Sequence, residues 1–246
     1  MTQPVLDIQQ LHLSFPGFNG DVHALNNVSL QINRGEIVGL VGESGSGKSV
    51  TAMLIMRLLP TGSYCVHRGQ ISLLGDDVLN AREKQLRQWR GARVAMIFQE
   101  PMTALNPTRR IGLQMMDVIR HHQPMLQENH GLTYVLISHN VSVIRHMSDR
   151  VAVMYLGQIV ELGDAQQVLT APAHPYTRLL LDSLPAIDKP LEEEWALRKT
   201  DLPGNRTLPQ GCFFYERCPL ATHGCEVRQS LAIREDGREL RCWRAL

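Results

Sequence analysis

The sequence predicts an α/β fold with a largely parallel sheet, followed by a small cysteine-rich extension. Short apolar runs rich in β-branched residues alternate with helix-forming stretches, as they do when helices connect parallel strands. One of these runs, residues 36–42, leads through a glycine-rich loop directly into a helical stretch. The composition changes near Leu184, and four of the five cysteines follow within the last 35 residues. We therefore divide the chain into a main domain, residues 1–184, and a linker with extension, residues 185–246.

The composition is that of an ordinary globular protein. With 246 residues, 43% hydrophobic and 20% charged, the chain can bury a sizeable core. Its net charge of +1 argues against a nucleic-acid-binding protein. No apolar run approaches the roughly 20 residues that cross a bilayer, and the first ten residues lack the apolar segment of a signal peptide. We expect a cytoplasmic chain with no membrane span, which would work at a membrane only by docking onto another protein.

The strand predictions rest on two patterns. Residues 5–13 alternate in the manner of an edge strand, whereas residues 36–42 and 133–139 are continuously apolar, which is typical of strands buried on both faces. Residues 150–163 predict two strands joined by Leu156, Gly157 and Gln158. The remaining strand candidates are residues 24–32, 69–75 and 93–99.

The helix predictions lie between these strands. The first helix candidate, residues 49–60, follows the glycine-rich loop and is closed by Pro60. The other candidates are residues 80–91, 109–122 and 140–147.

The glycine-rich loop matches the phosphate-binding pattern G-x-x-x-x-G-K-[ST] in full. Glycines let the backbone curl so that successive N–H groups point at phosphate oxygens, and the following helix presents its positive end to the same phosphates. Lys48 can reach the β- and γ-phosphates, and the Ser49 hydroxyl can ligate Mg²⁺. We call this segment the P-loop; its residues are Gly42, Glu43, Ser44, Gly45, Ser46, Gly47, Lys48 and Ser49.

Several further segments resemble the ATP-binding subunits of ABC importers for dipeptides and oligopeptides. The resemblance rests on the P-loop, on AMIFQEPMTALNP around Gln99, on VLISHN around His139 and on HPYTRLLLDSLP at residues 174–185. It implies that Phe15 stacks on adenine, that Gln99 touches Mg²⁺ and senses the membrane subunits, and that His139 is the switch histidine at the γ-phosphate. The alternatives are an exposed strand-end phenylalanine and a structural histidine.

The same resemblance implies cofactors, partners and a location. The cofactors are ATP and Mg²⁺. The partners are membrane permease subunits and a second ATPase subunit of the importer, and the location is peripheral, on the cytoplasmic face of the inner membrane.

Two motifs of that family are missing between Gln99 and His139. The chain contains no Ser-Gly-Gly signature, and neither Asp117 nor Glu128 lies in a Walker B setting of apolar strand followed by Asp-Glu. The two blocks of resemblance meet near Met125 and Leu126, which is the pattern of an internal deletion that removes the helical subdomain and a central strand. Without the Mg²⁺-shell aspartate and the catalytic glutamate, hydrolysis should be strongly impaired.

The cysteine spacing in the extension is wider than the knuckle of a usual structural zinc site. It resembles the C-terminal motif of peptide-importer ATPases, where four cysteines hold a [4Fe–4S] cluster, although zinc and free thiols remain open alternatives. The ligands would be Cys212, Cys218, Cys225 and Cys242. The remaining thiol, Cys65, is expected to be a buried small hydrophobe.

Three functions therefore compete. The first is an ATP-binding subunit of a peptide importer, with impaired hydrolysis. The second is a non-catalytic, truncated product that at most binds nucleotide, and the third is an iron–sulfur redox-sensing module with a vestigial P-loop.

Overall fold

The computed structural model describes residues 3–97, 132–138, 141–183 and 204–245. These residues form ten strands and five helices. The strands are β1 (Leu6–Phe15), β2 (Val22–Ile32), β3 (Ile37–Val41), β4 (Cys65–Leu73), β5 (Asp76–Asp77), β6 (Tyr134–Ile137), β7 (Arg150–Tyr155), β8 (Gln158–Asp164), β9 (Ala232–Ile233) and β10 (Glu239–Leu240). The helices are α1 (Lys48–Ile55), α2 (Glu83–Trp89), α3 (Val141–Met147), α4 (Ala165–Thr170) and α5 (Pro175–Asp182). In these ranges no helix is both long and apolar enough to cross a bilayer.

The strands form two sheets, and most of their pairing is antiparallel. The first sheet has the order β2-β1-β4-β5, and all of its pairs are antiparallel. The second has the order β6-β3-β7-β8-β10-β9, in which only β3 with β6 and β3 with β7 run parallel. The predicted α/β class is confirmed, but the prediction of a largely parallel sheet is wrong. Short connections join β1 to β2 and β7 to β8, and strands joined in this way pair antiparallel.

The six-stranded sheet lies between two apolar layers, as strand β7 shows. Ala152 and Met154 face a core shared with the four-stranded sheet, α1 and α2. Val151, Val153 and Tyr155 face the opposite way, into a second core formed with α3, α4, α5 and the cysteine-rich extension. This alternation is the period of two that a strand buried on both faces must have. The extension also continues the sheet, because β10 pairs with β8.

Three strand predictions fail. Residues 5–13 form β1, which is not the predicted edge strand because it pairs with β2 on one side and with β4 on the other. Residues 93–97 form no strand: Val94 makes one isolated bridge with Arg90, and Ile97 is 88% exposed. The run at 133–139 does form β6, but it lies at the end of the sheet order instead of being buried on both faces. Tyr134 and Val135 are consequently 50% and 38% exposed, and no other described strand pairs with the free edge of β6.

Helix α1 is shorter than the sequence predicts. It ends at Ile55, well before Pro60. Arg57 adopts a left-handed conformation with φ of 50°, and the Leu58 N–H donates to the Met53 carbonyl at 2.8 Å. A left-handed residue with this backward hydrogen bond is a common way to end a helix, so the backbone ends α1 before the proline is reached.

Candidate nucleotide-binding site

The P-loop connects the end of β3 to the start of α1. Strand β3 ends at Val41 and helix α1 begins at Lys48. Gly45 and Gly47 have φ values of 77° and 102°, in the left-handed region that favours glycine. Gly47 is the N-cap of α1, so the loop delivers the chain into the helix with the helix N-terminus facing the loop.

The loop is packed at its ends and open at its middle. A Cβ on Gly42 would lie 2.2 Å from the Met154 carbonyl oxygen, and one on Gly47 would lie 2.8 Å from the Ala24 carbonyl oxygen. A Cβ on Gly45 would meet nothing within 4 Å. The ends are therefore fixed against β7 and β2, while the backbone around Gly45 faces open space in which a phosphate could lie.

Lys48 is buried and its ammonium is held by the loop itself. Its Nζ donates to the carbonyl oxygens of Gly42 and Glu43, both at 2.8 Å, and to Ser46 Oγ at 3.1 Å. Burial lowers the pKa of Lys48, whereas the Glu43 carboxylate raises it. This places a positive charge at the loop, with donors that can be transferred from carbonyl oxygens to phosphate oxygens.

The other predicted contacts lie around the loop. Ser49 is exposed in the first turn of α1, where a hydroxyl can ligate an ion bound beside the loop. Phe15 ends β1 and is half-buried against the first apolar core, so its ring contributes to packing. Phe18, in the loop after β1, has a fully exposed side chain.

Glu43 has a role that its place in the motif does not predict. Its backbone N–H donates to Tyr176 Oη at 2.9 Å, and its carboxylate pairs with Arg217 of the cysteine-rich extension. Tyr176 is fully buried on α5. The P-loop is thus supported from β2, β7, α5 and the extension together.

Two predicted site residues lie outside the described residues. These are Gln99 and His139, and the junction at Met125 and Leu126 lies outside them too. Their roles stay predictions.

The four cysteines of the extension are partly or fully shielded from solvent. Cys218 and Cys225 are buried, Cys212 and Cys242 are half-buried, and the Cys212 N–H donates to the Cys225 carbonyl at 2.9 Å. Burial, with smaller contributions from the other three cysteines, raises the pKa of Cys212 to about 12. Burial likewise raises the pKa of Cys242. Cys65 is exposed, so the prediction that it is buried is wrong.

The described residues contain no group of three or more His, Cys, Asp or Glu side chains that could hold a metal ion. Cys242, Cys218 and Cys225 contribute to the raised pKa of Cys212, but the four thiols do not form such a group.

Family models match both parts of the chain. The model described as ABC transporter matches residues 25–167, and the model described as Oligopeptide/dipeptide transporter, C-terminal region, matches residues 160–225. The Probable D,D-dipeptide transport ATP-binding protein DdpF of Escherichia coli (strain K12) is 53% identical to this chain, over 100% of both chains. The Probable D,D-dipeptide transport ATP-binding protein DdpD of the same organism is 52% identical, over 99% of this chain and 97% of its own. The Dipeptide transport ATP-binding protein DppD of Bacillus subtilis (strain 168) is 30% identical, over 98% of this chain and 95% of its own.

The alignment with DdpF is longer than the chain. It extends over 308 positions, against 246 residues here, so at least 62 of its positions face a gap in this chain.

Proposed function

The chain belongs to the ABC transporter ATP-binding family, in its oligopeptide/dipeptide branch, and from this premise we propose that it is the nucleotide-binding subunit of a dipeptide importer. The observation that carries the proposal is the P-loop, which has the required strand before it, the required helix after it and a buried lysine at the start of that helix. The substrate class rests on the relatives, two of which are named for D,D-dipeptide transport and one for dipeptide transport.

The loop residues have the chemistry that ATP requires. Backbone N–H groups around Gly45 and the N-terminus of α1 would bind phosphate oxygens, and Lys48 would exchange its carbonyl partners for the β- and γ-phosphates. Ser49 would hold Mg²⁺, which when bound neutralises charge on the phosphates. Phe15 would stack on adenine, and Gln99 and His139 would contact the metal and the γ-phosphate.

We further propose that this chain holds ATP far better than it hydrolyses it. No Walker B Asp-Glu pair and no Ser-Gly-Gly signature stand between Gln99 and His139. The gap of at least 62 positions against DdpF agrees with a deletion at Met125 and Leu126. Phosphoryl transfer depends on positioned charge, so losing both carboxylates removes the groups that orient Mg²⁺ and water.

The proposed partners rest on the family and on two segments that this chain retains, the segment around Gln99 and the P-loop. We propose that it binds membrane permease subunits and a second ATPase subunit at the cytoplasmic face of the inner membrane. The segment around Gln99 would contact the membrane subunits, and a partner's signature motif could cap ATP held on this P-loop.

Nucleotide binding tests the central proposal. Magnesium-ATP binding is measured by titration calorimetry on the unaltered chain, on Lys48→Ala and on Lys84→Ala, an exposed lysine of α2 that serves as control. Removing a charge-assisted contact to phosphate should weaken binding by about a hundredfold in Lys48→Ala. Lys84→Ala should bind like the unaltered chain. Equal binding by all three, or no binding by the unaltered chain, would contradict the proposal.

Turnover tests the impaired hydrolysis separately. The unaltered chain should release phosphate no faster than Lys48→Ala does. A rate on the order of 1 s⁻¹ or more would be that of a working enzyme and would contradict the proposed loss of hydrolysis.

The extension is proposed to hold a [4Fe–4S] cluster, with zinc as the alternative. Four thiolates would ligate it, and the cluster when bound would crosslink the turns of the extension. Anaerobic purification should give broad visible absorbance with iron and sulfide by analysis. A colourless protein containing zinc would favour the alternative.

A further inference from the structure

One arginine of the cysteine-rich extension reaches the P-loop. Arg217 Nη1 and Nη2 donate to the two carboxylate oxygens of Glu43, at 2.9 and 3.1 Å. Two parallel bonds between a guanidinium and a carboxylate fix both charge and orientation. We propose that Arg217 is a positioning residue for nucleotide binding, which acts through Glu43 by neutralising and orienting the second residue of the P-loop.

The surroundings keep Arg217 in this position. Its side chain is only 6% exposed, against 27% for Glu43. The rings of Tyr155 and Phe214 lie 5.7 and 5.8 Å from its guanidinium carbon, and Nη1 also donates to Tyr155 Oη at 3.4 Å. A desolvated guanidinium between aromatic faces interacts more strongly with a carboxylate than one in water does. The pair is therefore held among buried side chains and differs from a surface ion pair that solvent screens.

Glu43 in turn connects Arg217 to the lysine of the site. Its carbonyl accepts from Lys48 Nζ, its N–H donates to Tyr176, and its carboxylate is close enough to raise the pKa of Lys48. An unpaired Glu43 carboxylate would compete with phosphate for the Lys48 ammonium and would repel an anionic nucleotide. Arg217 removes that competition by pairing with the carboxylate.

The local fold of the extension sets the place of Arg217. The N–H groups of Arg217 and of the next residue, Cys218, both donate to the Phe214 carbonyl, at 3.1 and 2.8 Å. The turn that carries Cys218, one of the four thiols of the extension, thus also carries the arginine. Full affinity for nucleotide consequently requires a folded extension.

A charge-pairing cycle tests this role, which rests on the proposed function. Magnesium-ATP dissociation constants are measured for the unaltered chain, Arg217→Met, Glu43→Gln and the double variant. Arg217→Met should bind about tenfold more weakly, equivalent to about 1.4 kcal/mol. The double variant should return to within about twofold of Glu43→Gln, because no unpaired carboxylate is left. The deficit of Arg217→Met should also shrink at high ionic strength.

Two further variants separate this role from a general loss of structure. Arg217→Lys keeps the charge without the paired bonds and should fall between the unaltered chain and Arg217→Met. Arg228→Met removes an exposed arginine of the same extension and should bind like the unaltered chain. The charge of Arg228 contributes to lowering the pKa of His12. Melting temperatures are recorded for every variant. If Arg217→Met does not fold, the Arg217→Lys variant and the double variant carry the comparison.

The outcomes distinguish the two proposals. Equal binding by the unaltered chain and Arg217→Met would overturn the role of Arg217 alone. A folded double variant that binds as weakly as Arg217→Met would overturn it too, because the defect would not depend on the Glu43 charge. No ATP binding by the unaltered chain would overturn the proposed function together with this role.

Discussion

Gly157 links the β7–β8 turn to the P-loop, and replacing it with alanine should destabilise the protein far more than the same change at Gly62. The Gly157 N–H donates to the Ser46 carbonyl at 3.0 Å, and its own carbonyl accepts from the Asn26 N–H at 2.7 Å. Both glycines have left-handed φ values, 75° and 83°. A Cβ on Gly157 would lie 2.4 Å from the Ala24 carbonyl oxygen, whereas one on Gly62 would meet nothing within 4 Å.

The two substitutions share one cost and differ in another. A left-handed alanine costs about 1 kcal/mol in either place. At Gly157 the clash with backbone adds about 1–3 kcal/mol, and a displaced turn weakens at least one hydrogen bond, worth about 1 kcal/mol. The free energy of unfolding should therefore fall by about 1 kcal/mol in Gly62→Ala and by about 3–5 kcal/mol in Gly157→Ala.

Urea unfolding followed by circular dichroism measures this difference. With a slope of about 2–3 kcal/mol per molar, the midpoint of Gly157→Ala should lie about 1 M below that of Gly62→Ala. Only Gly157→Ala should also weaken ATP binding, because its hydrogen bond to Ser46 supports the P-loop. Equal midpoints for the two variants would refute the close approach of the turn to Ala24.

Two other predictions concern pH and thiol chemistry. Burial lowers the pKa of His174 to about 3 from 6.5, so stability is complete above pH 6.5 and is lost as the pH falls towards 3. Between pH 7 and 5 the preference of His174 for its neutral form in the fold lowers the free energy of unfolding by about 2 kcal/mol, which urea unfolding measures. The His174→Asn variant keeps an acceptor for the Tyr176 N–H, and its free energy of unfolding should fall correspondingly less over the same range. With its pKa raised to about 12, Cys212 in the folded, metal-free chain is about one part in ten thousand thiolate at pH 8. Iodoacetamide should therefore label exposed Cys65 first by mass spectrometry, and equal labelling rates would contradict this burial.

The sequence predicts best the features that depend on neighbouring residues. The strand, loop and helix around the P-loop follow one another directly, so their pattern is local and the structure confirms it. Strand β6 shows the limit: its apolar run predicts burial, but burial depends on which strand lies beside it. The β7–β8 turn shows a second limit of prediction from sequence. Leu156 has a φ of 44° there, a conformation for which asparagine or glycine would be expected. Leu156 is only 5% exposed, so its packing outweighs the preference of the turn.

The contact between Glu43 and Arg217 joins residues 174 positions apart, and no local pattern could have predicted it. It also bears on how the proposed nucleotide binding could outlast the proposed loss of hydrolysis. The described supports of the P-loop are Ala24 on β2, Met154 on β7, Gly157 in the turn, Tyr176 on α5 and Arg217 in the extension. All of them lie outside the interval from which the two motifs are missing. The loop can therefore keep its shape and charge balance, as the proposed nucleotide binding requires, although no Asp-Glu pair stands between Gln99 and His139.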